Sequence, residues 1–132
     1  MLINPKTLFQ PRGSYSQAVL TDTNNKSLLF ITGQVALDGN GKIVGLNDIT
    51  VQTECIFQNI VTILKKAGGN LKDIVKVQTF ITDMRLYPVF SKIRDRYLKD
   101  SKPASTLFEV SQLFKKGLLI EMEAIATVPN KK

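Results

Sequence analysis

Hydrophobic and polar positions change period along the chain, and the change marks its elements. From Leu118 to Thr127 they alternate strictly: Leu118, Ile120, Met122, Ala124 and Ala126 share one face, Leu119, Glu121, Glu123, Ile125 and Thr127 the other. Such a period-two pattern predicts a strand, Leu118 to Val128, with its wholly apolar face in the core. The opposite face mixes two carboxylates with large apolar side chains. That composition suits a subunit interface. If assembly covers it, desolvation raises a glutamate pKa, and nearby lysines oppose the shift.

Elsewhere the period is helical. Ile49, Ile56, Ile60, Ile63, Leu64 and Ala67 recur at helix spacing, with Asp48 placed to cap the start and Gly68-Gly69 to stop the end. A second helix is predicted to begin near Pro88, burying Leu86, Phe90, Ile93 and Tyr97 and breaking at Lys99 to Pro103. The β-branched runs Ser27 to Thr32 and Ile74 to Thr82 read as strands, as does Ala104 to Val110. Leu37 to Ile43 holds Asp-Gly and Asn-Gly steps that favour a tight reversal. Its Gly39-Asn40-Gly41 lacks the third glycine and the following helix of a dinucleotide fingerprint. Early strands, helix, strand, helix and two late strands predict an α+β fold, one mixed sheet with both helices on one face. The expectation is a single domain over residues 1–132.

Composition then narrows the chemistry. Histidine is absent and Cys55 is the only cysteine, which excludes Ser-His-Asp and Cys-His catalysis, histidine-ligated metals and an internal disulfide. Cys55 reads as a packing residue of the first helix. Proton transfer falls to carboxylates, Tyr, Lys, backbone or water. The net charge of +7 draws anionic partners without choosing among them. Lys65-Lys66, Lys115-Lys116 and Lys131-Lys132 are scattered pairs that read as solvated surface. No apolar run reaches membrane-spanning length, and Met1 to Lys6 shows no secretory pattern, so the expectation is a cytoplasmic protein away from membranes.

Four short stretches, in order, carry a resemblance. Gly13-Ser14-Tyr15-Ser16-Gln17-Ala18, Thr32-Gly33-Gln34-Val35, Pro103-Ala104-Ser105-Thr106 with Glu109-Val110, and Ile120-Glu121-Met122-Glu123-Ala124-Ile125-Ala126 resemble the signature segments of the RidA (YjgF) family. The resemblance implies a chorismate-mutase-like fold with a mixed six-stranded sheet. It further implies a homotrimer around a central β-barrel, with small-molecule clefts at subunit boundaries and no metal or cofactor. Deaminating members hydrolyse enamine and imine intermediates to 2-oxo acids and ammonia. On that model Glu121 positions or activates water, the Gly33 amide contacts substrate, and Tyr15 lines the cleft. Plainer roles compete: Glu121 and Glu123 as partners of surface lysines, Gly33 as a strand end needing positive φ, Tyr15 as a half-buried aromatic.

One departure alters the pocket. Deaminating members carry an arginine after Pro-Ala that clamps the substrate carboxylate, and this chain has Ser105 there; serine lacks the bidentate, permanently charged fork. In addition, Ser91 stands where asparagine is common. Two readings follow. Either Arg12, Lys115 or Lys116 replaces the cation, or Ser105 and Thr106 bind a neutral or differently shaped ligand, which changes the substrate or leaves a non-catalytic binding module. RNA binding or cleavage, attributed to some relatives, fits the charge loosely and lacks an aromatic RNA-binding signature.

Overall fold

The computed structural model describes residues 1–130; the Lys131-Lys132 pair lies outside the described residues. Six strands, β1 (Leu2–Ile3), β2 (Ala18–Asp22), β3 (Lys26–Gln34), β4 (Ile74–Ile81), β5 (Ala104–Glu109) and β6 (Ile120–Pro129), form one sheet in the order β1-β2-β3-β6-β4-β5. Neighbours run antiparallel except β4 and β5, which are parallel. That parallel step requires a crossover. The helix α2 (Tyr87–Leu98) supplies it, and α1 (Ile49–Lys66) makes the earlier crossing from β3 to β4.

The alternation in β6 sorts the sheet as expected. Ile120, Met122, Ala124 and Ala126 are buried with Leu29, Ile31, Val77 and Ile81 beneath the helices. From α1, Ile56, Phe57, Ile60, Ile63 and Leu64 meet them, and from α2, Phe90, Ile93 and Leu98. Asp48 caps α1, its side chain accepting from Val51 N–H, and Gly68 follows at φ 83°. Leu86, which precedes α2, and Tyr97 within it are only half-buried. Cys55 is half-buried too, and burial pushes its thiol pKa up.

Among the described residues no element covers the other face, where Phe30 and Phe108 are 43% and 49% exposed. Glu121, Glu123 and Ile125 are half-buried on that face.

Two irregularities shape the sheet. From Ile31↔Ala124 to Gln34↔Met122 the β3 ladder advances three residues against two on β6. This bulge lets Ile31 and Gln34 both point to the core while Thr32 and Gly33 leave the ladder between them. A second shift falls between Ile74 and Lys76, at exposed Val75. Bulges re-aim side chains and concentrate beside functional sites.

Candidate functional site

The β3 bulge opens onto a cleft of about 490 Å³, and Arg12, Tyr15, Gly33, Phe114, Lys115 and Glu121 are among its walls. Glu121 enters from β6, opposite Phe80 of β4. A β-carbon built on Gly33 stands 2.9 Å from Glu121 Cδ and closer still to its Oε2. Gly33 is not in the positive-φ region, so the competing strand-end role falls away, and the close approach of the carboxylate gives a steric reason for glycine instead.

Glu121 stands unpaired in the cleft. Among the described residues no hydrogen bond or ion pair engages its oxygens, and the lysine-partner role has no support there. Burial, and after it the charge of Glu123, pushes its pKa above the ordinary carboxylate value. Glu123 itself faces a smaller hollow of about 140 Å³ with Lys76 and Gln78.

A buried amide pair fixes the cleft's first wall. Gln34 Nε2 donates to Gln17 Oε1 at 2.6 Å and to the Thr32 carbonyl at 3.0 Å, and Gln17 Nε2 donates to the Phe9 carbonyl at 2.6 Å. Thr32 Oγ1 donates to the Ser16 carbonyl. The segment from Phe9 to Gln17 is thereby tied to the bulge, which places Tyr15 and Arg12 on the cleft.

The opposite rim joins two loops. Gln52, fully buried on α1, donates to the carbonyls of Gly45 and Gly117 at 3.0 and 2.8 Å and accepts from Leu119 N–H at 2.8 Å. Lys115 Nζ donates to the Gly41 carbonyl at 2.7 Å. The Leu37 to Ile43 segment is the expected reversal, closed by a Leu37↔Ile43 bridge. Asn40 and Gly41 also line the cleft, a role their turn chemistry did not signal. Gln17, Gln34 and Gln52 were likewise silent as site residues, because their partners lie far along the chain.

The remaining candidates sit apart from this group. Ser105 pairs with Val77 on exposed β5 and borders a separate depression with Arg94, Lys99 and Lys102. Thr106, exposed on the same strand, pairs with Gln78. The Ser91 hydroxyl donates to the Pro88 carbonyl at 3.1 Å within α2. Lys116 is exposed and is not part of the cleft wall. A larger basic hollow of about 670 Å³ includes Lys65 and Lys99. Those two cations stand at the C-terminal ends of α1 and α2, where exposed carbonyls already favour positive charge. Among the described residues no group of three or more potential metal ligands comes together, and no helix is long and apolar enough to cross a membrane.

Comparison with known proteins identifies the lineage of this arrangement. The family model described as endoribonuclease L-PSP matches residues 6–128. A RutC family protein of Pyrococcus abyssi is 38% identical over 117 residues, 89% of this chain and 88% of the relative. The protein named 3-aminoacrylate deaminase RutC of Acinetobacter baylyi is 29% identical over 126 residues, covering 94% and 99%. Among solved structures, the Rid-family protein YyfA of Yersinia pestis superposes with TM-score 0.86 at 35% identity, over 97% of this chain and 98% of that one. E. coli TdcF with bound serine superposes with TM-score 0.82 at 25% identity, over 98% and 99%. The chain belongs to the endoribonuclease L-PSP family, the group of RidA and RutC proteins.

Proposed function

We propose that the cleft hydrolyses enamine and imine forms of small amino acids to 2-oxo acids and ammonia, with Glu121 as the base that positions and deprotonates water. One observation carries this: an unpaired, half-buried carboxylate faces a glycine at a strand bulge, inside a cleft. An enamine first takes a proton at its terminal carbon and becomes an imine. Water then adds to the imine carbon, giving its proton to Glu121, which passes that proton to the amine nitrogen and is restored as the base. Collapse of the carbinolamine releases ammonia and leaves the carbonyl. Such a reaction needs orientation and a base more than a cofactor, since the carbon is already electrophilic. The raised pKa makes Glu121 a stronger base than an ordinary carboxylate. The Gly33 amide, at the bulge, serves as a donor to substrate, and Tyr15 closes the side. The deaminase name of the Acinetobacter relative and the serine in TdcF support the substrate class.

The uncovered sheet face supports assembly. Phe30, Ile125, Phe80 and Phe108 are too apolar a set to be left to water. Three copies meeting through it form the barrel that the family resemblance implies, and β5, the edge strand with Ser105 and Thr106, then borders a neighbour's cleft.

The test is ammonia release from freshly generated 2-iminobutanoate. Wild type accelerates it, and Glu121→Gln lowers kcat/KM by at least about a hundredfold, the usual contribution of a positioned base. Equal rates with and without the protein sink the proposal. One observation favours a second reading, a non-catalytic metabolite-binding module: Ser105 in place of the arginine. Saturable binding of serine without turnover of the imine selects it.

A further inference from the structure

With serine at position 105, the charge that holds an anionic substrate must come from elsewhere, and three cations fail the requirement. Lys116 is not part of the cleft wall. Lys115 spends a donor tying its loop to the Gly41 carbonyl. Arg94, beside Ser105, is committed to Asp95 and the Tyr87 hydroxyl, with its guanidinium over the Phe90 ring.

Arg12 differs. It lines the same cleft as Glu121, and among the described residues no hydrogen bond or ion pair holds its guanidinium. The group is nevertheless positioned: its Cζ lies 4.8 Å from the centroid of the Phe9 ring. Phe9 is itself fixed, its carbonyl accepting from buried Gln17 and its ring lying where a β-carbon on Gly41 would come within 2.9 Å. Stacking on an aromatic face uses the flat side of a guanidinium and leaves the edge donors open to a carboxylate.

We propose that Arg12 clamps the carboxylate of the substrate in the Glu121 cleft, so that the loop before β2 supplies the charge missing at Ser105. The proposal rests on the reading of that cleft as the active site. The ligand class is a small monoanion, a 2-imino or 2-oxo acid. Lys115 adds to the positive field, and among the described residues no acidic side chain except Glu121 lines the cleft against it.

Binding of 2-oxobutanoate and of its neutral amide, measured by titration calorimetry, tests this. Arg12→Gln weakens the acid by about ten- to a hundredfold, the loss expected for one charge-assisted clamp, and leaves the amide unchanged. Arg12→Lys recovers part of the loss, Phe9→Leu costs about two- to fivefold by freeing the guanidinium, and Lys116→Gln changes nothing. Equal weakening of acid and amide, an unaltered affinity in Arg12→Gln, or no binding of 2-oxobutanoate to wild type overturns the clamp. Full imine hydrolysis by Glu121→Gln sinks the catalytic reading alone and leaves the clamp standing.

Discussion

Glu121 and Gly33 exclude a side chain from each other's space: the carboxylate end of one occupies the volume that a β-carbon on the other requires. The atoms in the way are the far end of a flexible side chain, so Gly33→Ala is relieved by swinging the carboxylate aside. Stability should therefore change by less than about 1 kcal/mol, well under the cost of overpacking a rigid core. Activity should not survive as well, because displacement by about 1 Å of a reacting group costs on the order of a hundredfold. Imine hydrolysis by Gly33→Ala is expected to fall to the level of Glu121→Gln, and the double variant to be no slower than either single one.

The same carboxylate sets a pH dependence. Its pKa lies above 4.5, the ordinary value, because of burial and then Glu123. The folded state holds this proton more tightly than the unfolded state. The resulting stabilisation is therefore complete below 4.5 and is lost as pH rises through the folded value. Glu121→Gln should melt above wild type at neutral pH, with the difference shrinking as the solution is made acidic. In the imine assay the acid limb of kcat/KM, which reports the free protein, should lie above 4.5 for wild type and vanish in the variant. A wild-type limb at or below that value contradicts the burial of this group.

Gln52 links three backbone groups from two loops to α1. Gln52→Leu keeps the volume and strands a part-buried N–H and two part-buried carbonyls. The expected loss is about 2–4 kcal/mol in denaturant unfolding. By contrast Asp48→Ala, which removes only the α1 cap, should cost about 1 kcal/mol.

What was legible in the chain follows from range. The faces of β6, the cap at Asp48 and the stop at Gly68 depend on neighbours a few residues away, and each is where its spacing put it. The Glu121 and Gly33 segments stood out through the family resemblance, but their contact joins residues 88 positions apart (121 − 33) and has no local signature. Of the two roles open to Gly33 in the sequence, only the strand end at positive φ is removed by the fold. β1, two residues long, carries no period to detect. Arg12 became separable from Lys115 and Lys116 only when the fold showed which cation lines the cleft and which already has a partner.

The uncovered sheet face yields the last prediction. Phe30 pairs with Ile125 across β3 and β6, and Phe80 stacks on Phe108 across β4 and β5 with ring centroids 6.2 Å apart. These groups lie opposite the helices, so a charge there leaves the core intact. Ile125→Asp should retain the far-ultraviolet circular dichroism of wild type while desolvation of the new carboxylate prevents the face from being buried. Sedimentation velocity should then show an oligomer for wild type and a monomer for the variant. If the clefts need a neighbour's β5, imine hydrolysis disappears with the oligomer even though Glu121, Gly33 and Arg12 are untouched. A monomeric variant with full activity places the whole site within one chain, and a monomeric wild type removes the assembly from the proposal.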